Sequence, residues 1–252
     1  MTPLSDSSGP RSSALSEPNA LAVNQDFEFA ALNEAKNYRA TLVKTFAPHL
    51  HGNVLEVGAG IGQLASELRQ VATVKRLVAV EPDAKFHPQL LTRFSESEIV
   101  RGTAAQVDTS QPWDAIVSVN VLEHIENDVA ELALYRRLLA GTRGRLCLFV
   151  PARAEIYAPI DRDFGHFRRY TAPVLRERLI AAGFEITRLN YFNFPGYFLW
   201  WFVFRIARRR GFSRLGVKAY DRFFFPPIAW AESHLARPPI GQSLIAVARA
   251  SS

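Results

Sequence analysis

Residues 54–63, VLEVGAGIGQ, decide the fold: strand-forming residues run into Gly58, Gly60 and Gly62, and a helical pattern follows over Leu64–Val71. A strand that ends in a glycine turn opening a helix lets backbone approach a nucleotide closely and aims free amides at it. The spacing narrows which nucleotide. A dinucleotide fingerprint needs Gly, or at a stretch Ala, three residues after its second glycine, where helix and strand pack closely. Gln63 occupies that position here, and an acid, Glu56, lies two residues before the first glycine.

Outward from the loop, the chain alternates strand and helix. Upstream, Ala35, Tyr38, Leu42 and Phe46 recur at helical spacing, and Pro48 closes that segment before the strand Asn53–Val57. Downstream, strands are expected at Leu77–Val80, Ile99–Arg101, Asp114–Asn120 and Arg145–Val150, with helices at Pro82–Phe94 and Glu126–Leu139 between them. Thr171 reads as a helix N-cap and Gly183 as the stop of that helix, after which Phe184–Asn190 and Ser243–Val247 are strands. This order predicts an α/β fold, a mostly parallel sheet with helices on both faces.

The 252 residues, 48% hydrophobic, suffice for one substantial core with an embellishment rather than two large domains. Three parts are expected: a disordered tail over residues 1–25, a domain formed by 26–190 with 241–252, and a helical, aromatic-rich insertion over 191–240. The tail is rich in Ser, Pro and Ala without periodicity. It lacks the apolar run of a signal peptide. The single cysteine, Cys147, excludes an intramolecular disulfide, fits a reducing, cytoplasmic setting, and sits in the apolar run Leu146–Val150 as a buried hydrophobe. A net charge of +6 points either to anionic partners or to a generally basic surface.

Glu81 ends the strand LVAVE, 23 residues beyond Gly58. A carboxylate at the tip of a second strand can accept hydrogen bonds from both hydroxyls of a ribose. The alternative is an acid complementing a helix N-terminus ahead of Pro82. Taken together, VLEVGAGIG, VAVEPD and WDAIVSVNVLEHIEND resemble, in order and spacing, the class I S-adenosylmethionine-dependent methyltransferases over roughly residues 35–190. The resemblance implies a Rossmann-like seven-stranded sheet with an antiparallel last strand, and S-adenosylmethionine as cofactor. It assigns Gly58, Gly60 and Gly62 to the amino-acid and sugar part of the cofactor and Glu81 to its ribose. Thr103 and Ala104 would flank adenine, Glu56 would favour the amino group, and Asn120 would stand where cofactor and acceptor meet. Tyr38 resembles an aromatic that closes over the cofactor, and equally fits the apolar face of its own helix.

Methyl transfer from a sulfonium is an in-line displacement that destroys a positive charge, so alignment and exclusion of water should dominate. A base is required only for an acceptor with a high-pKa proton, such as a hydroxyl. His124, in NVLEH, and His166 are the candidates. The run YAPIDRDFGHFRRYT, residues 157–171, follows the fifth strand and thus shares the sheet edge of the glycine loop. It resembles a His-x-Arg-x-Tyr-Thr segment of small bacterial methyltransferases of glycan, lipid and secondary-metabolite pathways. Tyr157, Arg168 and Arg169 are therefore candidates for holding the acceptor, with Asp161 and Asp163 pairing the arginines as the alternative. No metal is expected. Where one group of RNA 2'-O-methyltransferases binds metal through Glu-x-x-Glu-His, Asn120 replaces the first carboxylate, leaving Glu123 and His124.

The insertion opens with FNFPGYFLWWFVFR, and the 16 residues between Arg188 and Arg205 carry no charge. That is short of the roughly 20 residues of a membrane span. It is a lid over an apolar substrate, an interfacial helix whose arginines meet lipid phosphates, or a surface covered by the protein itself or by a second copy in a homodimer. The expected activity is methylation of a small or lipid-linked acceptor, oxygen favoured, with peripheral membrane contact as one outcome. The rivals are RNA methylation and a non-catalytic binding protein. Against the amine-methylating nucleic-acid enzymes, the fourth strand ends in Asn120-Val121-Leu122-Glu123 rather than their Asn/Asp-Pro-Pro-aromatic tetrapeptide.

Overall fold

The computed structural model describes residues 34–211, 213–235 and 237–250. The tail expected over residues 1–25 lies outside them. In chain order the elements are α1 (Lys36–Phe46), β1 (Gly52–Val57), α2 (Gln63–Leu68), β2 (Val74–Glu81), α3 (His87–Leu90), β3 (Ile99–Arg101), β4 (Ala115–Val119), α4 (Asp128–Leu138), β5 (Arg145–Pro151) and α5 (Pro159–Asp163). They continue with α6 (Ala172–Ala181), β6 (Phe184–Phe192), α7 (Phe194–Trp200), α8 (Arg214–Ala219), α9 (Phe225–His234) and β7 (Ser243–Ala250).

The seven strands form one sheet in the order β3-β2-β1-β4-β5-β7-β6. β7 runs antiparallel between β5 and β6, and the other pairings are parallel. Because side chains alternate across a pleat, each central strand feeds two cores. Leu55, Val78, Ile116 and Leu148 pack on one face against Leu132 and Tyr135 of α4 and Leu175 and Leu179 of α6. Val54, Ala79, Val117 and Cys147 pack on the other against Leu42 and Phe46 of α1 and Leu64 and Leu68 of α2. Residues covered on both faces explain why these strands read as apolar runs rather than alternating patterns. Truncating a fully buried leucine such as Leu55 should cost about 2–5 kcal/mol.

Several helices are shorter than their periodicity predicts, for local reasons. The segment expected as a helix over Pro82–Phe94 is a 3₁₀ turn, Ala84–Phe86, followed by the single turn of α3. Pro88 lacks the N–H that would continue the ladder. α4 begins at Asp128 rather than Glu126 because Asn127 caps it, its Oδ1 accepting the Ala130 N–H at 3.1 Å. Thr171 does precede α6, but without a side-chain capping bond.

β6 ends two residues past the expected Asn190. Asn193 then takes a left-handed φ of 59°, and its side chain accepts the Gly196 N–H to start α7. α7 runs into a wider π-wound turn, Trp201–Ile206, and α8 into another, Tyr220–Phe224. Trp200 and Phe204 turn inward onto Ile156, Ile160 and Phe164. Asp221, 4% exposed, accepts the backbone N–H groups of Asn37 and Tyr38 at 2.9 and 2.8 Å, tying this part of the chain to the first turn of α1.

Candidate active site

The strand order reverses between β1 and β4, and the carboxyl ends of β1, β2, β4 and β5 surround that point, where open α/β sheets bind ligands. Gly58, Gly60 and Gly62 all have left-handed φ, at 77°, 54° and 79°. A Cβ on Gly58 would run into Val121 Cγ2, so this turn needs glycine for both conformation and space. Glu81 braces the loop from the tip of β2: its carboxylate accepts the N–H groups of Gly60 at 2.7 Å and Asp83 at 2.8 Å. Burial raises its pKa against those two hydrogen bonds. Two of the roughly four acceptor positions of a carboxylate are thereby used.

Glu56 shares the β1 face that packs on α2. Burial first and the Glu81 charge second push its pKa well up, while the Ala65 N–H opposes them. Its Oε2 is buried without a hydrogen-bond partner among the described residues. After β3, Thr103 caps a short 3₁₀ turn and engages Gln106. Ala104, 1% exposed, points its methyl into the core, so a contact with adenine would fall to its backbone.

At the end of β4, Asn120 is held at φ 53° with its N–H donated to Phe149 O at 2.9 Å. A left-handed non-glycine residue at a sheet edge marks strain held in place by its surroundings. The following turn carries His124 to within 4.7 Å of His166, ring centroid to centroid, edge to face. His166 comes from the loop after α5 and is 7% exposed. Its Nδ1 lies 3.0 Å from Asp161 Oδ1, which also accepts from Arg169 Nε at 2.7 Å. A carboxylate only accepts, so the proton belongs on Nδ1, and Nε2, buried without a hydrogen-bond partner among the described residues, presents its lone pair. Burial lowers the pKa of both histidines, that of His124 to about 4 with His166 adding to the effect. Asp161 resists its own burial through His166 and Arg169, and its carboxyl stays below the usual range.

Beyond Asn120 lies a cavity of about 700 Å³. Tyr38, Asn120, Phe149 and His166 form its floor, and Trp200, Phe204, Tyr220 and Phe224 of the two π-wound helices wall it. The structure thus brings His166, Asn120 and Tyr38 together, with His124 behind His166. Tyr38 packs edge-on against Phe149 and Phe192. The arginines of the 157–171 run are engaged elsewhere. Arg168 donates to the carbonyls of Ile125 and Glu126 at 2.7 and 2.8 Å and lies 3.1 Å from Asp128. Arg169 is a buried partner of Asp161, stacked 4.3 Å from the Trp200 ring, with its edge at the cavity. Asp163 lies 3.7 Å from Arg210 instead. The Tyr157 hydroxyl donates to His166 O at 2.7 Å, fixing the loop that carries the imidazole.

Glu123, His124 and His166 also form a cluster whose ligand-type atoms lie within 4.8 Å of one another. Two imidazoles and one carboxylate are a donor set for a borderline transition cation rather than for magnesium or calcium. Sequence spacing gave no hint of the third member, since His166 is brought over from beyond β5. The sequence does not single out Asn193, since its partners Tyr220 and Gln242 lie far along the chain, whereas Asp161 is expected as a partner of the arginines and does pair with Arg169. Asn193, 1% exposed at the cavity, is held by Gln242 and by the Tyr220 hydroxyl.

A family model described as a methyltransferase domain matches residues 29–189. Two curated relatives share shorter stretches. The ribosomal RNA small subunit methyltransferase A of Blochmanniella pennsylvanica is 31% identical over 61 residues, 24% of this chain and 23% of that protein. The "Probable ribosomal RNA small subunit methyltransferase A" of Haloarcula marismortui is 36% identical over 121 residues, 45% of this chain and 39% of that protein. The chain thus spans less than half the length of the curated relatives it matches. Among solved structures, the fold is similar to Burkholderia thailandensis 1,6-didemethyltoxoflavin-N1-methyltransferase, solved with its namesake ligand and S-adenosylhomocysteine bound. The TM-score is 0.56 at 19% identity, covering 96% of this chain and 94% of that one. With the family model matching well over half of its residues, on a sheet of this order, the chain belongs to the class I S-adenosylmethionine-dependent methyltransferases.

Proposed function

We propose that this protein methylates a hydroxyl of a small or lipid-linked acceptor, with the cofactor at the glycine loop and the acceptor in the cavity beyond Asn120. The observation that carries the reading is the placement of a buried, neutral imidazole, His166, on the cavity side of the sheet edge that holds Gly58, Gly60, Gly62 and Glu81. The residues present fit the cofactor. Glu56 Oε2 is a buried acceptor without a partner, suited to an ammonium group, and the free acceptor positions of Glu81 suit a ribose diol. When bound, S-adenosylmethionine supplies the methyl group from its sulfonium and leaves as S-adenosylhomocysteine. The chain's own part is to align and to take a proton. His166 Nε2 accepts the hydroxyl proton while Asp161, bonded to Nδ1–H, steadies the imidazolium that forms. The aromatic walls keep water out, which favours a reaction that dissipates charge.

A second reading, methylation of RNA, is favoured by the two partial relatives, both ribosomal RNA enzymes by name. Asn120-Val121-Leu122-Glu123 at the end of β4 speaks against amine methylation of the kind that uses a proline-aromatic tetrapeptide. The Glu123, His124 and His166 cluster is read as proton-handling, because Asp161 at His166 Nδ1 positions that imidazole to take a proton.

Calorimetry with S-adenosylmethionine or S-adenosylhomocysteine tests the reading. Binding is expected, and Glu81→Ala should weaken it by about 1–3 kcal/mol, since ribose hydroxyls lose a buried partner. No binding by the native protein would remove the assignment. Stoichiometric metal in the same preparation would reassign the three-residue cluster, and transfer of labelled methyl to ribosomal RNA alone would move the acceptor to the second reading.

A further inference from the structure

Between Arg188 and Glu232 the chain carries seven cations and a single acid, Asp221, which is buried as the clamp on α1. Every exposed charge of this stretch is therefore positive. Among the described residues none of Arg205, Arg208, Arg209, Arg214, Lys218 and Arg222 has a carboxylate within ion-pair distance. Beside them stands an outward apolar surface. Phe198, Phe202 and Ile206 recur four residues apart and are 48%, 61% and 54% exposed, while Trp200 and Phe204 on the opposite side are buried. In the second helical stretch Phe223, Leu215 and Trp230 are likewise 67%, 80% and 57% exposed. Water-facing apolar surface on this scale marks a site of interaction.

The occupant follows from what satisfies both components. A second copy of the chain would bring the same cationic rim against itself across a two-fold contact. A nucleic acid would meet the arginines and leave Ile206 and Leu215 without apolar cover. An anionic bilayer does both, with acyl chains for the ridge and headgroup phosphates for the guanidinium groups. Among the described residues no helix is long and apolar enough to cross a membrane, which leaves attachment to its surface.

We propose that residues 194–235 dock the protein on the face of an anionic lipid bilayer, and that the cavity between the two helical stretches takes the apolar end of an acceptor held in that bilayer. The second half rests on the methyltransferase reading; the docking does not. The cavity is walled by Trp200, Val203 and Phe204 from one stretch and Val217, Tyr220 and Phe224 from the other, so the elements that carry the apolar surface also bound the acceptor space.

The test uses the full chain with vesicles of phosphatidylcholine, alone or with about a quarter phosphatidylglycerol. Co-sedimentation with the anionic vesicles is expected in dilute buffer. It should weaken tenfold or more toward about 1 M salt, where the Debye length falls to about 3 Å. Phe202→Ser with Phe223→Ser, and separately Arg205→Ser with Arg208→Ser, should each reduce binding about tenfold while melting curves stay unchanged, since all four side chains face water. The proposal is overturned by no binding to anionic vesicles in dilute buffer, by equal binding to neutral ones, by variants that bind like the parent, or by a stable dimer that ignores vesicles. Calorimetry with S-adenosylhomocysteine on the same sample separates the two claims. Cofactor binding without vesicle binding defeats the docking and leaves the methyltransferase reading standing, and the reverse defeats that reading, with the half that rests on it, and leaves the docking standing.

Discussion

His166 shows how one side chain becomes chemically committed by its surroundings. Free in water, an imidazole is half protonated near pH 6.5; burial, with the Arg169 charge adding and Asp161 opposing, shifts His166 toward the neutral form, with its proton on Nδ1 and Nε2 buried 4.0 Å from Glu123 Oε1. His166→Ala should therefore lower kcat about 100-fold or more while leaving S-adenosylmethionine affinity intact. Asp161→Asn should also lower kcat, because an amide oxygen supports the imidazolium less than a carboxylate does. A kinetic and calorimetric pair of measurements checks both, and normal turnover in His166→Ala would mean that the acceptor needs no base. His124 is a poorer candidate, since its pKa of about 4 makes it a weak base packed behind the other ring. Glu81 carries two duties at once, bracing Gly60 and offering its remaining acceptor positions, and the first is invisible in a sequence motif.

At the scale of elements, the joint between α1 and the 194–235 helices combines a buried carboxylate with aromatic packing. Asp221 accepts the N–H groups of Asn37 and Tyr38, orphan donors of the first turn of α1, and the Asn37 side chain returns a bond to Asp221 O at 2.9 Å. Asp221→Ala should cost about 0.5–2 kcal/mol by loss of this cap. At about 2–4 °C per kcal/mol for a chain of this size, the melting temperature should fall by a few degrees. Because Tyr38 and Tyr220 both border the cavity, the same change should raise the KM for the acceptor more than that for the cofactor. Melting and kinetics that are both unchanged would show that the joint is held by the aromatic packing of Tyr38 on Phe149, Phe192 and Phe225 instead.

For the whole molecule, the buried histidines set how stability responds to acid. The folded pKa of His124, about 4, lies below its ordinary value of 6.5, and His166 is lowered in the same sense. The unfolded chain thus binds more protons between those values, so stability is full above about pH 6.5 and falls as pH drops toward 4. Denaturant titrations at pH 7.5, 6 and 5 should show this loss, and His124→Asn should flatten it; an unflattened slope would assign the acid sensitivity elsewhere. The sequence alone determined the sheet. Glycine spacing, apolar runs and the tip acid Glu81 are local signals, because strand burial on both faces and a glycine turn are written in consecutive residues. Helix lengths were less legible, since Pro88 and the cap at Asn127 decide them against the periodicity. Composition likewise revealed an apolar, arginine-flanked stretch from residue 192 onward, but not which side of each helix faces water. Tertiary structure alone decided which distant polar residues meet. Glu123 with His166 and Asp221 with α1 are joined across distant stretches of chain, and contact between distant residues leaves no periodic trace in either segment, whereas the pair of Asp161 and Arg169 lies within one short run and was open to the sequence. It also turned Arg168 onto the carbonyls of Ile125 and Glu126, because a guanidinium takes the nearest acceptors that folding buries beside it.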